Sequence, residues 1–139
     1  MKRNAIHLAG MFIFSLTVAA TDFDCSEEAS KICMGNISKG FNYLKSYPVS
    51  FPSEKGYQEF SYVFTKGTIY LIKLCQANGK PVEQNIFDNS RAKVGTNKIS
   101  GSTIEAISYT CSATGIYYIR LYGDTQYCGN CLLAFSRPL

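Results

Sequence analysis

The sequence predicts a mostly-β protein: an antiparallel β-sandwich of about seven strands with one N-terminal amphipathic helix. Three observations predict it. Beyond Tyr57, apolar residues recur with a period of two in short runs separated by glycine-containing turns. Between about 25 and 45 they recur every three or four residues, the spacing of one helix face. A sheet with one apolar face must bury it, so strands in this number imply a second sheet against the first.

The chain opens with Lys2 and Arg3, continues with the apolar run Leu8 to Ala20, and closes that run with small residues. That order is a secretory signal peptide over residues 1–20. The run holds 13 residues, short of the ~20 a membrane-spanning helix needs. Thr21 stands where a lipoprotein would carry its cysteine. The expected mature chain, Thr21 to Leu139, is one domain of 119 of the 139 residues. A chain of that size buries roughly two-thirds of its unfolded surface. It holds no segment long and apolar enough for a membrane span, so the expected location is secreted or periplasmic. Losing Lys2 and Arg3 leaves 12 of the 14 basic residues against 10 acidic ones, a net charge of +2. No basic run stands out, which argues against nucleic acid as a partner.

Asp24-Cys-Ser-Glu27 fits a capping box. After it, Ala29, Ile32, Cys33, Ile37, Phe41 and Leu44 line one helix face, predicting a helix near 25–45. Gly35 and Gly40 weaken it by ~1 kcal/mol each. The stretch Ser46 to Gly56 contains Pro48 and Pro52 and reads as a connector. Strands follow at Tyr57–Phe64 and Thr68–Cys75, flanking a hairpin turn at Lys66-Gly67, with Asn78-Gly79 as the strongest hairpin signal. Val82–Asp88, 92–97, Thr103–Cys111, Ile116–Tyr122 and Asn130–Ser136 complete the seven.

Ile69-Tyr-Leu-Ile-Lys-Leu74 and Ile116-Tyr-Tyr-Ile-Arg-Leu121 echo each other. Alternation puts Tyr70, Ile72, Leu74, Tyr117, Ile119 and Leu121 between the sheets. The opposite faces carry Ile69, Leu71 and Lys73, and Ile116, Tyr118, Arg120 and Tyr122. Those residues are too apolar to lie bare together. The helix is the available cover, expected over Ile69, Leu71 or Ile116.

Cys25, Cys33, Cys75, Cys111, Cys128 and Cys131 all lie in the mature part and are expected to form disulfides. The expected pairs are Cys75 with Cys111 and the helix cysteines with Cys128 and Cys131. Cys25 and Cys33 are excluded as partners, because eight residues of helix separate them by ~12 Å, beyond the ~7 Å limit. Cys128-Gly-Asn-Cys131 has no following helix or βαβ context, so a structural role is favoured over thiol exchange. A four-cysteine zinc site would need a second close pair.

The single histidine, His7, belongs to the leader. Without it the mature chain has no Ser-His-Asp or Cys-His arrangement and no histidine-bound metal. The carboxylates are scattered. Asp88 and Asp124 suit turns as well as calcium, and Asn36-Ile-Ser38 matches a glycosylation acceptor, relevant only to a eukaryotic secretory pathway. No catalytic residue, metal ligand or cofactor is expected.

Tyr62-Val-Phe64 leading into Gly67-Thr-Ile-Tyr70, then Ile86-Phe-Asp88 and Thr114-Gly-Ile-Tyr-Tyr-Ile-Arg-Leu121, give residues 57–136 a pattern that resembles the bacterial pre-peptidase C-terminal domain. The resemblance implies a jelly-roll-like β-sandwich found appended to secreted enzymes. The helix and the cysteine set depart from that pattern, and fold does not fix function. The expected function is a non-enzymatic binding or envelope module, with a glycan or protein as partner. Its ten tyrosines offer flat rings with polar tips, and Tyr118, Arg120 and Tyr122 form the candidate patch. The alternative is a small secreted glycan hydrolase using paired carboxylates in a cleft.

Overall fold

The computed structural model describes residues 25–78, 82–123 and 126–138. The expected leader and Asp124 lie outside them. Two four-stranded antiparallel sheets pack face to face, with a helix on the outer side of one. The elements are α1 (Cys25–Gly35), β1 (Asn42–Phe51), β2 (Tyr57–Phe64), β3 (Ile69–Asn78), β4 (Glu83–Phe87), β5 (Lys93–Thr96), β6 (Lys98–Ile99), β7 (Ser102–Thr103), β8 (Ala106–Thr110), β9 (Gly115–Tyr122) and β10 (Tyr127–Ser136). Sheet one runs β1-β10-β3-β8, sheet two runs β2-β9-β4-β5, and β6 with β7 makes a small separate ribbon.

All seven expected strands are present, and an eighth large one was missed. The helix is shorter than its spacing suggests. It carries Glu27 and Glu28 in its first turn, where the helix dipole favours them, and it stops at Gly35. There Asn36 donates its side-chain amide to the Ile32 carbonyl, and the chain turns into β1. Phe41 and Leu44 fell at helical spacing by coincidence. In β1, Tyr47, Val49 and Phe51 alternate inward. Pro48 is tolerated because β1 is an edge strand, bonded only to β10. The stretch read as a connector is therefore mostly strand.

Lys66-Gly67 reverses the chain, with Gly67 in the left-handed region at φ 83. It is nevertheless no hairpin, for β2 and β3 lie in different sheets. The same is true of β3 and β4, which flank Asn78-Gly79. Turn chemistry sets where a chain reverses; burial chooses which strand it then pairs with. The adjacent pairs that do form hairpins are β4 with β5 and β6 with β7.

Between the sheets Tyr70, Ile72 and Leu74 of β3 meet Tyr117, Ile119 and Leu121 of β9, all buried as the alternation requires. Phe64 lies stacked between Tyr70, 3.8 Å away, and Tyr117, 4.8 Å away. Each such side chain contributes about 1.5–3 kcal/mol on burial. A second, smaller core lies outside sheet one, where Cys33 of α1 packs on Leu71, Cys75, Leu132 and Ala134. The helix thus docks on an outer face over Leu71, as expected. Ile32 points away from that contact, 46% exposed, and Ile116 belongs to the other sheet.

A disulfide joins Cys33 to Cys75, with Cα atoms 5.4 Å apart. It replaces the expected Cys75–Cys111 bridge for a geometric reason. Thr110 pairs with Ile69 at one end of β3, and Cys75 lies six residues along, roughly 20 Å away. Cys75 also faces outward, on the side of Leu71, while Cys111 faces the core. Cys128 is disulfide-bonded, but Cys111 and Cys131 are free and buried, so the expectation of six oxidised cysteines fails. Cys131 pairs in register with Leu74, five residues along β3 from the end where Cys111 sits, which separates the two thiols by roughly 17 Å.

Candidate functional site

Sheet one has its outer face covered by α1, whereas sheet two carries no such cover among the described elements. Strand alternation and register decide what that second face displays. Tyr57, Tyr122 and Glu83 form one cross-strand row, Glu59, Arg120 and Asn85 the next, and Ser61, Tyr118 and Phe87 the third. Beyond them Val63 faces Ile116, 57% and 44% exposed.

The centre of this face is a carboxylate held by two guanidiniums. Arg120 donates from Nε to Glu59 Oε2 at 2.8 Å, and its Nη2 makes an ion pair with the same oxygen at 2.7 Å. Arg91 donates from Nη1 to both carboxylate oxygens, at 3.0 and 3.1 Å. Both guanidiniums also lie over rings: Arg91 is 3.7 Å from the Tyr118 centroid, and Arg120 is 4.4 Å from Tyr57 and 5.4 Å from Phe87. Tyr57 and Tyr122 sit side by side, centroids 6.1 Å apart. Burial acts to raise the Glu59 pKa, but the hydrogen bonds and charges of Arg120 and Arg91 outweigh it and hold the carboxyl below its ordinary value. The hydrogen bond to Glu59 and then that to Tyr122 push Arg120 up.

Arg91 reaches this position because of Asp88. The Asp88 carboxylate accepts from the backbone N–H groups of Ser90 and Ala92, at 2.8 and 3.0 Å, closing the β4–β5 turn. Arg91 stands in that turn at φ 64, a conformation Asx-closed turns favour more than most. Asp88 is thus a turn former. Among the described residues no group of three or more His, Cys, Asp or Glu side chains is placed to hold a metal ion.

Asn85 is 4% exposed. Its amide donates to Glu83 Oε1, while its Oδ1 has no partner.

The structure brings Tyr118, Arg120 and Tyr122 onto one face, as alternation requires, and adds Tyr57, Glu59, Phe87 and Arg91. The β2 contributions carried a signal, since Tyr57 and Glu59 share a parity within their strand. The pairing of β2 with β9 had none, because the two strands are far apart in sequence. Arg91, in a turn, had no signal at all.

Other sites offer less. A cavity of about 170 Å³ between Leu44, Tyr62, Tyr70, Phe135 and Arg137 contains no acidic residue. One of about 110 Å³ beside α1 contains only Glu105. Both are below the roughly 300–1,000 Å³ of a small-molecule site. Burial pushes the Cys131 thiol up to about 12, which leaves it protonated and unreactive at neutral pH. Since Cys131 is free and Cys128 is bonded elsewhere, the C-x-x-C pair is no redox couple here.

No family model and no curated protein matches this chain. No helix among the described residues is long and apolar enough to cross a membrane.

Proposed function

We propose that this chain is a secreted or periplasmic, non-enzymatic binding module whose ligand surface is the outer face of sheet two, and that its ligand is a glycan. The observation that carries the reading is the asymmetry of the sandwich. One outer face is sealed by α1 and a disulfide, while the other holds Tyr57, Tyr118 and Tyr122 around paired arginines. Half-buried rings beside fixed donors offer both apolar contact and orientation to a polar ligand. Export is supported by the charged-then-apolar leader and by a disulfide, which persists in oxidising compartments. The fold-level resemblance to the pre-peptidase C-terminal domain fits the same reading, as a domain of secreted proteins.

The test is a glycan-array screen of the mature protein beside the double variant Tyr118→Ala/Tyr122→Ala. The reading expects at least one glycan class to be retained by the parent and lost by the variant. Retention unchanged in the variant, or no glycan retained at all, would refute it.

A further inference from the structure

We propose that the glycan recognised on this face is acidic, its carboxylate displacing Glu59 from between Arg91 and Arg120; this rests on the binding-module reading and adds the chemical class of the ligand. The charge of the face points this way. Arg91, Arg120, Lys93 (in register with outward-facing Phe87) and Lys98 (3.9 Å from Glu83) stand against three carboxylates, Glu59, Glu83 and Asp88 of the Arg91 turn. The face therefore carries an excess of positive charge, centred on the two arginines.

Geometry selects a carboxylate in particular. Two guanidiniums converge on one planar carboxylate, Arg91 reaching both oxygens through a single nitrogen and Arg120 holding one of them, which is more than an isolated Glu needs. Glu59 already occupies the position in the way a ligand would, as an internal stand-in. On one side the arginine pair is preorganised: Arg120 is held between the rings of Tyr57 and Phe87. On the other it is accessible, since the Arg91 side chain is half exposed and rests on Tyr118. An incoming carboxylate thus meets one fixed and one adjustable partner.

The remaining features favour a sugar over an acidic peptide. Tyr57, Tyr122 and Tyr118 flank the arginines as rings on an open sheet, and the two cavities described above open elsewhere. A saccharide brings hydroxyl donors alongside its carboxylate, and a glutamate side chain does not.

The test is calorimetric titration of the mature protein, Glu59→Gln and Arg91→Gln with three probes: trigalacturonate, maltotriose and triglutamate. Trigalacturonate should bind best, more weakly at high salt, and roughly tenfold or more weakly to Arg91→Gln. Glu59→Gln removes the internal competitor and should bind it more tightly; a structural role for Glu59 alone would weaken binding. Thermal melts of both variants establish that they are folded. Weaker binding by folded Glu59→Gln would overturn the displacement. Maltotriose bound as well as trigalacturonate would overturn the acidic class and leave the glycan reading standing. Triglutamate bound equally well would overturn the saccharide in favour of a peptide. Binding of none of the three would overturn this proposal, while the array screen separately decides the broader reading.

Discussion

Replacing Cys33 and Cys75 together by alanine should lower the stability of this protein by about 4 kcal/mol. The bridge closes a loop of sequence separation 42, and the loss of chain entropy in the unfolded state for such a loop is about 4 kcal/mol at 25 °C. Both positions are buried in the small core with Leu71, Leu132 and Ala134, so alanine leaves that packing partly in place and keeps the two effects separable. For a domain near 120 residues, a change of this size corresponds to a melting shift of roughly 15 °C. The assay is a thermal melt of parent and double variant without reductant, because reductant would also open the bond at Cys128. Leu132→Ala, made in the oxidised parent, measures the packing alone and should cost about 2–5 kcal/mol. A double variant melting within about 2 °C of the parent would refute the argument. In that case α1 would not be constrained by the bridge, and the outer face of sheet one would not depend on it.

Three further outcomes follow from the packing and the charges. Cys111 and Cys131 should resist alkylation in native buffer at pH 8 and react once denaturant opens the core; rapid native labelling would contradict their burial. Glu59, whose folded pKa is depressed, contributes stability that is present above its unfolded value near 4.3 and lost as pH falls through its folded one. Glu59→Gln should therefore melt below the parent at pH 7, with the gap closing as pH falls below the unfolded value; a constant gap would mean that charge is not the cause. Gly123→Ala places a Cβ 2.5 Å from the Phe51 ring, and the forced movement of a buried aromatic should cost about 1–3 kcal/mol by chemical denaturation.

Much of this architecture is legible where a single strand carries its own signal. The parity of Ile69 to Leu74 and of Ile116 to Leu121 placed six core residues and identified the face the helix must cover. The same parity, carried one step further, sets Cys75 outward beside Leu71, under the helix that holds Cys33. The observed bridge was therefore readable, and strand-end proximity was the wrong guide. What could not be read is what depends on pairing across sequence. Nothing local tells Lys66-Gly67 to lead into the opposite sheet, and nothing in β2 names β9 as its neighbour. The candidate face follows the same division. Tyr118, Arg120 and Tyr122 share a strand and were found together; Glu59 and Arg91, which complete the charge network, come from an edge strand and a turn. Strand β1 was hidden by two prolines, one of which an edge strand accommodates and the other of which lies just past its end.

The place of β10 in sheet one has a consequence for how the chain assembles. It is the last strand in sequence among the described residues, yet it lies inside the sheet, between β1 and β3. Asn42 pairs with Phe135 and Ile69 with Ser136, so neither earlier strand of that pair has its neighbour until β10 arrives. A nascent chain lacking those residues leaves β1 unpaired and β3 bonded on one side only, with Leu71 lacking its neighbours Leu132 and Ala134 beneath the helix. Such dominance of distant pairings makes folding slow, in the millisecond-to-second range, and holds the commitment of sheet one to structure until β10 has been made.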